Sequence, residues 1–210
     1  MGAYVYSESE WARLCWDPEK ECLGLGHRVL CGVDEVGVGC LAGPVVAAAV
    51  ILNPLQIPQG ITDSKLIQPR KRELLSEEIQ RVAVAWGVGI AEVEEIDTIN
   101  IFHAAKRAME RAVAALKVTP CVLLVDGKFP IKSDLPQKCY VKGDLKSVSI
   151  GAASIIAKVR RDTMMTDFDS QFPGYGFAKH KGYGSKFHRE QLQARGSTPL
   201  HRKSFSWTPV

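Results

Sequence analysis

The sequence predicts an α/β fold, in which a central mixed β-sheet is flanked by helices and followed by a helical C-terminal section. Three observations support this fold class. Short apolar runs alternate along the chain with longer segments whose apolar residues recur at helical spacing. The early runs 29–33 and 45–52 are joined by a glycine-rich turn, which predicts an antiparallel strand pair. After residue 147 only helical patterns follow. Interleaved strands and helices with one early hairpin indicate a mixed sheet packed by helices.

The predicted elements begin with a helix and end with a short one. Ser7 and Glu10 form a capping box for a first helix that runs to about Leu23 and stops at Gly24 or Gly26. After the strand pair, further strands are predicted at 83–91, 121–125 and 138–142. Further helices are predicted at 69–82, from 96–100 to a stop at Pro120, at 147–172 and at 185–194.

The apolar spacing also predicts which side of each helix is buried. The predicted inner faces are Leu74, Leu75, Ile79 and Val82 in the second helix, Ile101, Ala105, Ala108, Ala112 and Leu116 in the third, and Ile150, Ala153, Ile156 and Ala157 in the fourth.

The composition fits one folded domain. The chain has 210 residues, 46% hydrophobic and 24% charged, which is ordinary for a globular protein. No apolar run is long enough to cross a bilayer, and the start at Met1 lacks a signal sequence, so we expect a cytoplasmic protein with no membrane partner. The six cysteines include no Cys-x-x-Cys pair, which predicts free thiols and no zinc site. Nothing in the sequence requires more than a monomer.

Positive charge and aromatic rings are concentrated after Gln171. Seven lysines and arginines follow this residue against one acid, Glu190, and seven aromatic residues lie among them. Cations that contact phosphates and rings that stack on bases are typical of a nucleic-acid surface. The plainer interpretation is a solvated basic tail.

Acidic residues follow two of the predicted strands. Asp34 and Glu35 come directly after the run 29–33 and precede residues 37–44, a glycine-rich segment here termed the glycine turn. Asp126 follows the run 121–125 in the same way, with a glycine after it. If the two strands are neighbours, their acids emerge at one edge of the sheet, where open α/β sheets place their sites.

Asp162, late in the predicted helix 147–172, reaches the same place if this helix crosses the strand ends. Asp34, Glu35, Asp126 and Asp162 then form an all-oxygen ligand set, which favours Mg²⁺ or Mn²⁺ over zinc or copper. Two such ions about 3.5–4 Å apart activate a water and stabilise the leaving oxygen of a phosphodiester. The plainer alternatives are an exposed hairpin tip at 34–35, a strand-end turn at Asp126, and an ion pair of Asp162 with Lys158 or Arg161.

Two other functions stay open at this point. His180, His188 and His201, with a nearby lysine, are candidates for metal-free acid–base cleavage of RNA through its own 2′-hydroxyl. A binding module without catalysis would use Tyr183 and the basic C-terminal residues instead.

Taken together, these motifs resemble the ribonuclease HII family, the type 2 ribonucleases H, from about Trp11 to Phe205. The segments that carry the resemblance are GVDEVG at 32–37, LAGPVVAAAVIL at 41–52, DSK at 63–65, VDG at 125–127, VKGD at 141–144, AASIIAKVRRD at 152–162, FPGYG at 172–176, HKGYG at 180–184 and HRKSF at 201–205.

The resemblance implies a ribonuclease H-like fold, with a catalytic domain at 1–172 and a substrate-binding C-terminal segment, 173–210, packed on it. It implies that Asp34, Glu35, Asp126 and Asp162 hold two Mg²⁺ or Mn²⁺ ions. The implied reaction is endonucleolytic cleavage of the RNA strand of RNA–DNA hybrids, which leaves a 5′-phosphate and a 3′-hydroxyl. The implied substrates include duplex DNA containing ribonucleotides, cut on the 5′ side of a single ribonucleotide to start its removal.

The resemblance also assigns substrate contacts. It implies that Gly37, Val38, Gly39 and Tyr183 read the RNA–DNA junction. The matched segments place four further residues among the expected contacts: Ser64, Lys65, Lys142 and Lys158.

The chain departs from the family pattern at Val38, where arginine, or lysine in the sister type, is usual. Valine keeps the backbone donors and offers no charge to a phosphate. We therefore expect 2′-hydroxyl recognition to survive and the grip on phosphate to weaken.

Overall fold

The computed structural model describes residues 16–206. Its first element is helix α1 (Asp17–Gly24), whose last residue is a predicted stop. Trp16, with an extended backbone, precedes the helix, and a proline occupies its first turn. The prediction of one helix that continues from the capping box to Leu23 is therefore wrong at Trp16. The capping box itself, Ser7 and Glu10, lies outside the described residues.

A five-stranded mixed sheet forms the centre of the fold, in the order β3-β2-β1-β4-β5. Strands β1 (Leu30–Val36), β2 (Val45–Ile51) and β3 (Ala85–Ala91) are antiparallel neighbours. Strands β4 (Val122–Asp126) and β5 (Gln137–Tyr140) run parallel to β1. The predicted mixed sheet and its early hairpin are confirmed.

The register of the central strands decides where the acids emerge. Val33 of β1 lies opposite Val125 of β4 in a parallel ladder. Continued by one residue, this register brings Asp34 and Asp126 side by side at the edge of the sheet. The two strands are neighbours, as the predicted shared edge requires.

Helices cover both faces of the sheet. Helix α2 (Pro69–Val82) and the long helix α4 (Val148–Gln171) pack on one face, and helix α3 (Val93–Ala114) packs on the other. Helix α4 approaches β1 very closely, because a Cβ atom at Gly32 would lie 2.0 Å from the carbonyl carbon of Ser149. Glycine is therefore required where the long helix crosses the central strand.

The predicted inner faces hold for α4 and only in part for α2 and α3. Leu75 and Ile79 of α2 are buried, whereas the side chain of Leu74 is 59% exposed. Helix α3 is kinked at Asn100, which has a φ of 67°, and the Asn100 side chain accepts hydrogen bonds from the N–H groups of Phe102 and His103. Asn100 therefore caps a second helical segment, whose buried residues differ from those predicted for one continuous helix. The buried residues of α3 are Val93, Ile96, Ala104, Ala108, Met109 and Ala112.

The chain after α4 returns to the glycine turn. Helices α5 (Phe177–His180) and α6 (Lys186–Arg195) follow in this part of the chain. Isolated β-bridges join Cys40 to Tyr183 and Ala42 to His201. The described part of the C-terminal segment is therefore bonded directly to the turn that follows Asp34 and Glu35.

Two remaining expectations concern thiols and membranes. The cysteines among residues 16–206, which exclude Cys15, are free thiols. Within the same range, no helix has the length and apolar character needed to cross a membrane.

Candidate active site

Three carboxylates meet where β1 and β4 end. Asp34, Glu35 and Asp126 each offer one ligand oxygen, and these oxygens all lie within 4.8 Å of one another. We term this group the acidic cluster. Asp34 is only 5% exposed, while Glu35 and Asp126 are partly exposed. The structure thus brings together three of the four predicted acids.

Backbone donors hold two of these carboxylates in place. Asp34 Oδ1 accepts a hydrogen bond from the Glu35 N–H at 2.7 Å, and Asp126 Oδ1 accepts one from the Gly143 N–H at 2.6 Å. Each residue keeps a second oxygen that can serve as a ligand. Charge-assisted bonds of this length fix the orientation of a carboxylate.

Burial and mutual repulsion disfavour the charged forms of all three carboxylates in the acidic cluster. Burial, and then the charges of Glu35 and Asp126, raise the pKa of Asp34 well above its ordinary value. Burial and the charge of Asp126 raise the pKa of Glu35 to about 7. Burial also raises the pKa of Asp126, against the opposing effect of the Gly143 N–H. A hard divalent cation fits such an oxygen-only set and would relieve its repulsion.

Asp162, predicted as the fourth ligand, is not one of the three acids of the acidic cluster. Its carboxylate forms ion pairs with Lys158 at 2.7 Å and Arg72 at 3.3 Å. Ser154, which hydrogen-bonds Asp34, precedes it by eight residues on α4, and eight residues span about 12 Å of helix. The ion pair with Lys158, one of the plainer alternatives, is thus present, and the role of Asp162 as a metal ligand stays a prediction.

Asp144 is a further acid near the cluster, and the sequence interpretation did not include it among the candidate ligands. It follows Gly143, whose N–H binds Asp126, in a short 3₁₀ turn (Gly143–Leu145) after β5. Its charge raises the pKa of both Asp34 and Glu35, and its own pKa is raised by burial and then by nearby acids that include Asp126. The signal was present in the Lys142-Gly143-Asp144 sequence, which resembles a family segment and follows a strand.

The glycine turn runs along the side of the acidic cluster. Gly37 is buried with a φ of +100°, whereas Val38 and Gly39 are exposed. Val38 is not among the residues with positive φ, so valine fits this backbone without strain. A Cβ at Gly39 would meet no atom within 4 Å. The outer side of the turn is therefore open.

Tyr183 lies against this turn through its bridge to Cys40, and its side chain is 38% exposed. The buried Lys158 places its ammonium 5.9 Å from the centre of the Tyr183 ring. The Asp162 carboxylate accepts a hydrogen bond from this ammonium and so contacts the cation that lies beside the Tyr183 ring.

The other predicted substrate contacts divide by exposure. Lys65 and Lys142 are exposed. Partial burial lowers the pKa of Lys65, but the charges of Asp63, Asp34 and Asp144 outweigh this effect and raise it. Ser64 is only 2% exposed, and its hydroxyl lies 3.0 Å from that of Ser154. Ser64 therefore lies beneath the surface and supports the residues around Asp34.

His188 and His201 form a buried pair, and His180 lies next to it. His188 Nε2 lies 3.1 Å from His201 Nε2, and the ring of His180 stacks on His188 at 4.2 Å. His188 and His201 are at most 3% exposed, and burial lowers the pKa of each to about 4. Their ring nitrogens are occupied by each other, the Tyr183 carbonyl and Thr198. This arrangement disfavours the metal-free histidine reaction.

Known proteins resemble this chain in sequence and in fold. A sequence model described as Ribonuclease HII matches residues 31–208. A protein named Ribonuclease HII from Caulobacter vibrioides is 52% identical over 188 residues, which cover 90% of this chain and 88% of that protein. The ribonuclease HII of the PCNA:RNase HII complex from Archaeoglobus fulgidus aligns with a TM-score of 0.73 at 25% identity, over 87% of this chain and 97% of that one.

A third relative extends the fold comparison to the sister type. Bst-RNase HIII, solved in complex with Mn²⁺, aligns with a TM-score of 0.66 at 20% identity, over 85% of this chain and 67% of that one. The family match over most of the chain, the ribonuclease H-like sheet and the acidic cluster agree with one another. The chain belongs to the ribonuclease HII family of endoribonucleases that act on RNA–DNA hybrids (EC 3.1.26.4).

Proposed function

We propose that this ribonuclease HII cuts duplex DNA on the 5′ side of a single embedded ribonucleotide, as well as the RNA strand of hybrids, and leaves 5′-phosphate and 3′-hydroxyl ends. The observation that carries the proposal is the acidic cluster, whose three ligand oxygens lie within 4.8 Å beside an open turn. No other group of three or more His, Cys, Asp or Glu residues with this spacing occurs among residues 16–206.

The proposed ligands of Mg²⁺ or Mn²⁺ are Asp34, Glu35 and Asp126, with Asp144 as the fourth acid in place of Asp162. The Gly143 N–H supports this choice, because it binds Asp126 and immediately precedes Asp144. When bound, a pair of divalent ions would supply an activated water and stabilise the departing 3′-oxygen. The chain itself contributes oriented carboxylates and, in Lys65, a cation near the acids.

The C-terminal segment, 173–210, is proposed to bind substrate as part of the same compact unit. Its Tyr183 lies beside the glycine turn, with Lys158 of α4 close to the ring. An exposed ring can pack on the sugar next to the ribose whose 2′-hydroxyl the turn reads. The acidic cluster, the turn and the tyrosine all come from one chain, so we also propose that a monomer is active. Light scattering during size-exclusion chromatography tests this last point.

One cleavage assay tests the proposed reaction. A duplex with a single ribonucleotide is incubated with and without Mg²⁺ or Mn²⁺, and the end groups are identified. We expect metal-dependent cutting on the 5′ side of the ribonucleotide with 3′-hydroxyl ends. Cyclic 2′,3′-phosphate ends formed in the presence of chelator would support the histidine reaction, and binding without cutting would support a binding module.

A pair of variants tests the fourth acid. Asp144→Asn should lower metal-dependent cleavage by at least about a hundredfold, in the range seen for loss of transition-state electrostatics. Asp162→Asn should lower it far less, because Asp162 is bound to Lys158 and Arg72. Asp126→Asn should abolish cutting and leave hybrid binding largely intact. The reverse ranking of the first two variants would restore Asp162 as a ligand.

A further inference from the structure

Two arginines are fully buried next to the glycine turn without an acidic partner. Arg161 of α4 and Arg202 of the C-terminal segment are both 0% exposed. Across residues 16–206, neither guanidinium forms an ion pair with a carboxylate. A buried charge is costly unless hydrogen bonds compensate for the lost water. Both side chains must therefore find their partners in the backbone.

These partners are carbonyl groups of the glycine turn. Arg202 donates to the carbonyls of Gly37 at 2.7 Å, Val38 at 2.9 Å and Gly43 at 2.8 and 3.0 Å. Arg161 donates to the carbonyls of Ala42 at 3.1 Å and Pro44 at 2.9 Å, and also to Lys181 at 2.7 Å. Two forked side chains thus hold five carbonyls of residues 37–44 on the inner side of the turn.

The direction of these carbonyls decides the direction of the amides. In a planar trans peptide the C=O and the next N–H point in opposite directions. The carbonyls of Gly37 and Val38 point inward to Arg202, so the N–H groups of Val38 and Gly39 point outward. Both residues are exposed, and among the described residues neither N–H has an acceptor. The turn presents two adjacent free donors beside the acidic cluster.

The position of Arg202 is itself rigid. Its backbone N–H donates to the Leu41 carbonyl, and its guanidinium lies 5.0 Å from the centre of the Phe205 ring. The next two residues are tied to α3, because Asp97 accepts hydrogen bonds from the N–H groups of Lys203 and Ser204. The guanidinium is therefore held by both its side-chain and its backbone contacts.

We propose that Arg202 is a positioning residue for ribose recognition. It aims the Val38 and Gly39 amides at the 2′-hydroxyl and adjoining phosphate of the ribonucleotide, while Arg161 holds the far end of the glycine turn through Ala42 and Pro44. This inference rests on the proposed function. Lysine offers one charge but lacks the fork that spans three carbonyls, so the bidentate shape of arginine is required. Cationic donors on the carbonyl side also polarise the peptides and strengthen their N–H groups as donors.

The experiment compares Arg202→Lys and Arg202→Met with Lys203→Met, which removes the same charge from an exposed neighbour. Affinity is measured in EDTA for a duplex with one ribonucleotide and for the matched all-DNA duplex. We expect the preference of the wild-type protein for the ribonucleotide to fall by up to about tenfold in Arg202→Lys and further in Arg202→Met. Lys203→Met should weaken binding of both duplexes equally, so the preference for the ribonucleotide duplex should stay unchanged.

An unchanged preference in folded Arg202→Lys and Arg202→Met would overturn the inference. If neither variant folds, amide NMR shifts of the wild-type protein decide instead. The ribonucleotide duplex should shift the Val38 and Gly39 amides, and the all-DNA duplex should not; no difference between the two would also overturn the inference. Failure of the proposed function is separate, because the wild-type protein would then leave the single-ribonucleotide duplex uncut in Mg²⁺ and Mn²⁺.

Discussion

Replacing Glu35 with glutamine should stabilise the metal-free protein and remove its response to metal. The variant keeps the size and one oxygen of the side chain and removes one charge from the acidic cluster. In EDTA at neutral or higher pH, the wild-type carboxylates repel one another without a cation. The variant relieves this repulsion, so the folded state should gain stability while the site loses a ligand.

Two estimates give the size of the effect. Two charges at 4.8 Å, the upper limit for the ligand oxygens of the cluster, repel by about 3.5 kcal/mol at an effective dielectric constant of about 20. A pKa raised from 4.5 to about 7 corresponds to about 3 kcal/mol of stability. Glu35 is partly exposed, so solvent screening reduces these figures to about 1–3 kcal/mol. For a chain of this size the melting temperature should rise by about 3–10 °C.

The pH dependence follows from the direction of the pKa shift. The folded protein holds the Glu35 proton more tightly than the unfolded chain, so the contribution of Glu35 to wild-type stability is lost as pH rises from 4.5 through about 7. Glutamine does not titrate, so Glu35→Gln does not lose stability in this way as pH rises. The two melting curves should therefore coincide near pH 4.5 and differ most above pH 7.

Thermal melts in EDTA across this pH range, repeated with Mn²⁺, provide the assay. Metal should raise the melting temperature of the wild-type protein by mass action and that of Glu35→Gln much less. Glu190→Gln is the control, because Glu190 is exposed and lies 3.9 Å from Lys186, a pair worth less than about 1 kcal/mol. A variant no more stable than wild type at pH 8, or one that keeps the full response to Mn²⁺, would refute the reasoning.

Further predictions concern the glycine turn and the buried histidines. Gly39→Ala should change the free energy of unfolding by no more than about 0.5 kcal/mol and should weaken binding of a ribonucleotide duplex. Gly37 has a φ of +100°, and a Cβ there would lie 2.3 Å from Arg161, so Gly37→Ala should lower the free energy of unfolding in urea by about 2 kcal/mol or more. Val38→Arg should tighten junction binding by about 1.5–3 kcal/mol in a fluorescence titration, and no gain would contradict the account of the turn. Burial lowers the pKa of His188 and His201 to about 4, so the unfolded chain binds more protons at these two histidines below pH 6.5, and their contribution to stability should rise between pH 4 and 6.5, opposite in sign to that of Glu35. His188→Gln should flatten this rise in pH-dependent melts.

The elements that were predicted well are those whose pattern is local. The bounds of α2 at 69–82 and of α4 near 147–172 agree with the structure, because proline, serine caps and apolar spacing act within a few residues. The face of α3 was predicted less well. Asn100 adopts a positive φ and caps a second helical start, and the apolar spacing carries no sign of this change.

The choice of the fourth acid, proposed here to be Asp144, shows a different kind of limit. Asp162 lies in a helix that does contact the site, but the rise of the helix carries it two turns beyond Ser154. Asp144 lies in a short 3₁₀ turn, reached after Lys142 takes a left-handed conformation and ends the strand pattern early. Spacing along the chain does not distinguish these two acids, because their distances to Asp34 depend on how β5 and α4 pack.

By itself the sequence determined the fold class, the two strands that end in carboxylates, the glycine turn, the basic aromatic C-terminal segment and, through its resemblance, the family. Only the tertiary structure decided which three acids converge, which lysines are exposed, and that Arg202 binds the carbonyls of the peptides that carry the Val38 and Gly39 amides. The physical reason is range. Strand and helix signals arise between residues that are close in sequence, whereas charge repulsion, burial and hydrogen bonding also depend on distances between residues that are far apart in the sequence, such as Asp34 and Asp126 or Gly37 and Arg202.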